Sequence, residues 1–327
     1  MTTRTADSGD PQATASTADS APEADTVLDV RGLRMRYGTN DVLHDVNFTA
    51  ARGEILALLG PNGAGKTTTI EILEGFRMRS AGEVTVLGAD PAKGDERWRA
   101  GLGVVLQSWR DHGKWRVREL LQHLGEYYAP YSTDRIERPW NADDLVAAVG
   151  LTEHAHKKIM SLSGGQRRRL DVAIGIVGRP EVLFLDEPTV GFDPEARREF
   201  HDLVHRLADD QTTILLTTHD LDEAEKLADR ILILAGGRII ADGSADELSR
   251  RMSTEAEVRW SRDGQRFVHT STESTRFVRE LFEQYGDSVA DLEVRLASLE
   301  DTYMAMVHQY EAGNAEAAAR EFEEVSR

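Results

Sequence analysis

Short apolar runs recur along this chain and are separated by amphipathic stretches. The runs at 55–59, 182–185, 213–216 and 231–234 are built mostly from Ile, Leu, Val and Phe, and each has the length of a buried β-strand. Helical patterns lie between them, as at 66–75. Buried strands that alternate with helices form a mostly parallel sheet covered on both faces. The pattern therefore predicts an α/β fold for the centre of the chain.

Further elements flank this centre on both sides. Apolar positions predict additional strands at 28–35, 42–50, 83–87 and 101–106, and the more polar helical stretch at about 108–179 predicts an inserted helical subdomain. Beyond the centre, short strands mix with helices and predict a small α+β domain at 245–310. The two ends have few residues to bury and predict a disordered tail at 1–26 and an Ala- and Glu-rich helical tail at 311–327.

Composition and charge limit the classes of protein to which this chain can belong. Of the 327 residues, 40% are hydrophobic and 29% charged, which is typical of a soluble globular protein. No apolar run approaches the roughly 20 residues of a membrane span, and we expect no secretory signal. The absence of cysteine excludes disulfides and thiolate sites. A net charge of −18 disfavours a general nucleic-acid surface, so an anionic nucleotide requires a focused site.

The string GPNGAGKTT at 60–68 connects an apolar strand pattern to a helical one. It matches GxxxxGK[ST], in which small residues let backbone N–H groups and a helix start surround phosphate oxygens. Lys66 is expected to reach the β- and γ-phosphates of ATP, and the Thr67 hydroxyl to ligate Mg²⁺. The predicted nucleotide-binding loop consists of Gly60, Pro61, Asn62, Gly63, Ala64, Gly65, Lys66, Thr67 and Thr68.

Two acids follow the apolar run at 182–185 and predict the other half of such a site. Asp186 ends a core strand, where a carboxylate can hold Mg²⁺. Glu187 is adjacent and is placed to act as general base on an attacking water. Asp186 is therefore predicted as a metal ligand, and Glu187 as a catalytic residue together with Lys66.

With the string LSGGQRRRLDVAIGI at 162–176, these motifs resemble the ATP-binding subunit of ABC transporters over about 27–243. The resemblance implies a P-loop ABC ATPase domain at 27–244, with a mostly parallel core sheet, an antiparallel β subdomain and the helical subdomain. It also implies that a second copy of the chain, or a homologue, completes each ATP site. The residues that would contact the partner's γ-phosphate are Ser163, Gly164, Gly165 and Gln166.

The same resemblance implies roles for four single residues. Tyr37 would stack on adenine, Gln107 would bind Mg²⁺, act in catalysis and signal to the membrane subunit, and His219 would act as a catalytic switch on the γ-phosphate. Asp193 would cross the dimer interface. Phe192 departs from the leucine that many members carry at that place. The basic residues 167–169 are interpreted as a solvated helix face.

Two further strings indicate one branch of this family. EPTVGFD at 187–193 and SLEDTY at 298–303 resemble the drug and antibiotic export branch. The implied function is ATP-driven export of drug-like or other hydrophobic compounds. The implied partners are separate transmembrane permease subunits and no nucleic acid, which would place the chain in the cytoplasm at the inner face of the cell membrane. A soluble ABC ATPase without a membrane partner, and an importer ATPase, remain alternatives.

Overall fold

A computed structural model describes residues 25–105, 112–252, 256–262, 264–271, 273–296, 300 and 303. The predicted tails, apart from residues 25 and 26, lie outside this part of the chain. So does Gln107. None of the helices within the described ranges combines the length and apolarity that a bilayer crossing requires.

The strands of the described chain are, in order, β1 (Thr26–Tyr37), β2 (Asn40–Ala51), β3 (Ile55–Leu59), β4 (Ala81–Val86), β5 (Leu102–Val105), β6 (Val182–Asp186), β7 (Thr213–Thr218), β8 (Arg230–Ala235), β9 (Arg238–Gly243), β10 (Ala256–Arg262), β11 (Gln265–Ser271) and β12 (Ala290–Leu296). Its helices are α1 (Lys66–Leu73), α2 (Glu96–Ala100), α3 (Val117–Tyr128), α4 (Ala142–Ala148), α5 (Gly164–Ile176), α6 (Pro194–Asp209), α7 (Leu221–Leu227), α8 (Ala245–Met252) and α9 (Ser274–Tyr285).

The central sheet has the strand order β5-β6-β7-β3-β8-β9 and is parallel except for the β8–β9 pair. Both faces are covered, as the apolar runs predict. Along β3, the odd-numbered residues Ile55, Ala57 and Leu59 pack in one core cluster, and Leu56 and Leu58 pack in the other. This two-sided burial explains why the strand is apolar at every position. The α/β fold prediction is confirmed.

A second, antiparallel sheet with the order β2-β1-β4 packs over one face of the central sheet. The antiparallel subdomain implied by the family resemblance is therefore present. The sequence interpretation missed β9, which pairs antiparallel with β8 after a turn at Gly236 and Gly237. Both glycines have positive φ, the conformation that a tight turn of this kind requires.

Helices α3, α4 and α5 lie between β5 and β6 in the chain. After α8, strands β10–β12 form a three-stranded antiparallel sheet in the order β11-β10-β12, and α9 packs on it through Phe277, which contacts the rings of Trp260 and His269. In the last part of the predicted α+β domain, at 297–310, the structure describes only Glu300 and Tyr303. Tyr303 is buried in the same core cluster as residues of α7, so this side chain packs against the ATPase core.

Candidate active site

Three neighbouring parallel strands end at the same edge of the central sheet. Their order is β6-β7-β3, so the residues that follow each strand are adjacent in space. The glycine loop follows β3, Asp186 and Glu187 lie at the end of β6, and His219 follows β7. Ligands of open α/β sheets bind at this carboxyl edge. The topology thus brings together the predicted phosphate, metal and catalytic residues other than Gln107, which lies outside the described residues.

The glycine loop is tightly constrained by its neighbours. A Cβ at Gly60 would lie 2.3 Å from the Leu234 carbonyl oxygen at the end of β8, and a Cβ at Gly65 would lie 2.6 Å from Leu43 Cδ2. Gly65 also has φ of +108°, a conformation that residues with side chains rarely adopt. Packing therefore requires glycine at both positions, and at Gly65 the backbone conformation requires it as well.

Lys66 begins α1, but its side chain turns back into the loop. Its Nζ donates to the carbonyl oxygens of Gly60 at 2.6 Å and Pro61 at 3.2 Å. The side chain is buried, and burial lowers the pKa of Lys66 against the opposing influence of Glu187 and Asp186. The ammonium is therefore held inside the curve of the loop, where a phosphate would be its natural counter-charge.

The start of α1 fits an anion for a second reason. Gly65 caps the helix without a side-chain hydrogen bond, and its first turn has no acidic residue. The positive end of the helix thus faces the loop without a neutralising charge. Together with Lys66, this donor set fits the phosphates of a nucleotide.

Asp186 and Thr67 offer two oxygen ligands on facing elements. The Thr67 hydroxyl lies 3.4 Å from Asp186 Oδ2, and Asp186 Oδ1 accepts a hydrogen bond from the Thr217 hydroxyl. Within the described residues there is no cluster of three or more His, Asp or Glu side chains suited to a metal. A divalent cation at this position therefore needs further oxygen ligands, as Mg²⁺ does when it is shared with nucleotide phosphates.

Glu187 and His219 form a pair at the mouth of the site. Glu187 Oε1 lies 3.2 Å from His219 Nδ1, and the Glu187 amide donates to the carbonyl oxygen of Thr217 at 3.2 Å. Glu187 has φ of +45°, which is uncommon for a residue with a side chain. The long-range bond to β7 thus fixes an unusual backbone conformation that aims the carboxylate toward the histidine.

The residues of the LSGGQ string at 162–166, called the signature below, lie at the start of α5. Ser163 caps this helix: its Oγ accepts from the Gln166 amide at 3.3 Å, and Gln166 Oε1 accepts from the Ser163 amide at 3.0 Å. A Cβ at Gly164 or Gly165 would meet no atom within 4 Å. This helix start is open: the Ser163 and Gln166 side chains each accept from the other residue's backbone amide, and Gln166 Nε2 also contacts His154 Nε2.

The remaining predicted residues lie in different surroundings. Tyr37 is 40% exposed, and the Arg77 guanidinium lies 5.2 Å from its ring centre. Asp193 Oδ1 accepts from the Ala196 amide at 2.8 Å and so caps α6. Phe192 is buried with its ring centre 5.8 Å from that of Phe200. The departure at this position therefore fills the core beside α6.

Comparison with known proteins identifies the family. A profile described as ABC transporter matches residues 43–190. The daunorubicin resistance ATP-binding protein DrrA3 of Streptomyces coeruleorubidus is 40% identical over 69% of this chain and 70% of its own length. The chain belongs to the ATP-binding proteins of the ABC transporter family. The Nod factor export ATP-binding protein I of Ralstonia nicotianae is 41% identical over 68% of this chain and 68% of its own length.

The fold of this ABC ATPase agrees with the same assignment. A solved structure of the ATP-binding subunit of an ABC transporter superposes with a TM-score of 0.62 at 29% identity, covering 69% of this chain and 93% of that one. The predicted family, nucleotide binding and ATP hydrolysis are therefore confirmed for this chain.

The basic residues after the signature are not a uniform solvated face, and that interpretation was wrong. Arg168 of this ABC ATPase is only 7% exposed. Its guanidinium donates to the backbone oxygens of Asp186, Glu187 and Pro188. The helical spacing of the sequence could have predicted this burial. Val172 and Ile176 lie four and eight residues after Arg168, on the same face of the helix, and both are buried.

Two buried acids near the site also escaped the sequence interpretation. Glu223 of α7 accepts from the Thr218 hydroxyl at 2.6 Å, just before His219, and burial raises its pKa. Glu74 follows α1, and burial, together with Asp186 and Glu71, raises its pKa to about 8. Neither acid belongs to a recognised sequence motif, so only its burial in the structure shows that it is part of the surroundings of the site.

Proposed function

We propose that this ABC ATPase powers the export of drug-like or other hydrophobic compounds through separate membrane-spanning subunits. The support is the kind of relative it resembles: one is named for daunorubicin resistance and another for Nod factor export. Its transmembrane partner would be docked at the cytoplasmic face of the membrane, near Gln107 and helices α3–α5. The compound itself would be selected by that partner.

The phosphate side of the site is assigned to the glycine loop and Lys66. Backbone amides at the start of α1 and the Lys66 ammonium would bind the β- and γ-phosphates. Tyr37 would stack on adenine with its exposed face. Thr67 and Asp186, with Gln107, would hold Mg²⁺, which when bound neutralises phosphate charge.

The catalytic side is assigned to Glu187 and His219. The Glu187 carboxylate would accept the proton of an attacking water, and its 3.2 Å contact with His219 supports this pairing. The histidine would hold the terminal phosphate and sense its loss. Because both residues lie at the ends of adjacent strands, a shift of either strand end would misplace the base.

The site is proposed to be completed by a second copy of the chain. The observation that carries this step is the open helix start at Ser163–Gln166, where two glycines face empty space. Serine and glycine amides at a helix start bind anions. Each subunit would therefore offer this surface to the nucleotide held by its partner, and Asp193 would cross the interface between the two copies.

Two substitutions test this assignment together. Glu187→Gln should retain ATP binding and form a stable ATP-dependent pair, but lose most turnover, about 10²- to 10⁴-fold, because the base is gone. Ser163→Arg should retain binding by the single subunit and lose the pair, because a bulky cation occupies the helix start. Calorimetry, light scattering and phosphate release measure the three properties. Vigorous hydrolysis by Glu187→Gln, or normal pairing by Ser163→Arg, would contradict the proposal.

Export itself requires the membrane partner. Cells that produce the chain together with the membrane proteins encoded beside it should accumulate less daunorubicin, followed by its fluorescence. The same cells with Glu187→Gln should accumulate as much as cells lacking the chain. Equal accumulation in all three would argue for another cargo class or for the importer alternative.

A further inference from the structure

Helix α5 connects two functional surfaces within one subunit. Its first residues, at Ser163–Gln166, form the surface offered to the partner's nucleotide. One turn further along the same helix, Arg168 contacts the backbone beside the subunit's own Glu187. In the proposed pair, a single helical segment would thus contact both ATP sites.

The contact of Arg168 is extensive. Its Nε donates to the Pro188 oxygen at 2.9 Å, and Nη2 donates to the oxygens of Asp186 at 3.1 Å and Glu187 at 3.2 Å. Three consecutive carbonyls are therefore bound by one planar guanidinium. A lysine could not reproduce this pattern, because its single ammonium lacks the rigid fork.

The charge of Arg168 is balanced although the side chain is buried. Burial lowers the pKa of Arg168, and the surrounding acids Asp171, Asp186 and Glu223 oppose this effect. Hydrogen bonds to charged donors in such surroundings are stronger than neutral ones. The contact is therefore a firm link between α5 and the backbone that carries Glu187.

The backbone held by Arg168 is the one with the uncommon conformation. Glu187 has φ of +45°, and such conformations persist only where neighbours enforce them. On the β7 side, Thr217 accepts from the Glu187 amide. On the other side, Arg168 holds the carbonyls. A displacement of α5 would therefore act directly on the orientation of the base.

We propose that Arg168 is a positioning residue that couples the two ATP sites of a pair. Contact of Ser163 with the partner's nucleotide would shift or steady α5, and Arg168 would transmit this to Glu187 of the same subunit. The inference rests on the shared-site arrangement proposed above. It adds a residue through which occupancy of one site controls hydrolysis at the other.

The neighbouring Arg169 supplies a matched control. Its Nη1 lies 2.7 Å from Glu199 and 3.4 Å from the Gly150 carbonyl oxygen, away from the acids of the site. Arg169→Gln removes the same charge from the same helix without touching the backbone at 186–188. It should change turnover by no more than about twofold, because a partly exposed ion pair contributes little.

The test uses mixed pairs purified through two different tags. In the first pair, one subunit carries Arg168→Gln and the other Glu187→Gln, so turnover reports the base of the Arg168 variant opposite an unchanged signature. In the second, one subunit carries both substitutions and the other is unchanged, so turnover reports an unchanged base opposite the altered signature helix. A pair with Glu187→Gln alone in one subunit sets the reference.

Because Arg168 ties α5 to the backbone at 186–188, its loss should loosen Ser163 opposite the partner's nucleotide as well as Glu187 of its own subunit. Coupling therefore predicts that turnover falls at least about tenfold in both mixed pairs, with ATP binding by the separate subunits unchanged. Arg168→Lys should behave like Arg168→Gln. A loss in only one of the two pairs would overturn the proposal, because Arg168 would then serve one site. Lost ATP binding by both Arg168 variants would also overturn it, by showing a folding role. Full two-site turnover in the reference pair would instead contradict the assignment of Glu187.

Discussion

Replacing Glu74 by glutamine should make the stability of this protein less sensitive to rising pH. Glu74 follows α1 and is only 7% exposed. Burial, with smaller contributions from Asp186 and Glu71, raises its pKa to about 8 from an ordinary value of 4.5. The folded protein therefore holds a proton on this carboxyl at neutral pH, whereas the unfolded chain releases it.

The direction and size of the effect follow from this difference. Between pH 4.5 and about 8 the unfolded chain binds fewer protons than the folded one, so stability falls as pH rises. Over the whole interval the loss corresponds to about 5 kcal/mol. Between pH 6 and pH 8, wild type should lose about 2 kcal/mol relative to Glu74→Gln, because glutamine keeps the shape but cannot ionise.

Urea unfolding measures this directly. The two proteins are compared at pH 6, 7 and 8 by tryptophan fluorescence, without nucleotide and with EDTA, so that no cation neutralises Asp186. Glu83→Gln on β4 is the control, because Glu83 is exposed and its replacement should leave the pH dependence unchanged. A free-energy difference between Glu74→Gln and wild type that stays constant across this range would show that Glu74 is ionised in the folded protein.

Two further predictions concern the site. Gly65→Ala should abolish ATP binding, measured by calorimetry, because its Cβ would lie 2.6 Å from Leu43 Cδ2 at φ of +108°. Gly63→Ala is the control and should retain measurable binding, because its Cβ meets nothing within 4 Å. Equal losses of binding in the two variants would refute the packing argument. Glu223→Ala should lower the rate at saturating MgATP about tenfold or more by freeing the residue before His219, while Glu223→Gln stays near wild type because the glutamine amide oxygen can still accept from the Thr218 hydroxyl. Equal rates in the two Glu223 variants would refute a positioning role.

Much of the site could be predicted from local sequence because its chemistry is local. A phosphate loop needs small residues, a lysine and a helix start in one continuous segment, so GPNGAGKTT suffices to recognise it. The strands were recognised for a similar reason: a strand buried on both faces, such as β3, must be apolar at every position. Family likeness then supplied the roles of Tyr37, Gln107, Asp193 and the signature residues, and these roles remain predictions.

Only the tertiary structure decided which distant residues meet. The strand order β6-β7-β3 places Thr217 beside Asp186 and His219 beside Glu187, although about thirty residues of chain separate each pair. No local pattern encodes this order, because it depends on how all the strands pack together. The same holds for β9, whose edge position lets it remain partly polar.

Arg168 shows most clearly what could not be predicted from the sequence alone. Along the chain, Arg168 stands between two other arginines and differs from them only by helical phase. Its burial depends on the backbone at 186–188, which folds against α5 from another part of the chain. A charged side chain by itself favours exposure to solvent. A buried guanidinium is stable only because tertiary contacts supply carbonyl partners for it. The sequence thus determined the parts of this ATPase, and packing determined which of those parts are connected.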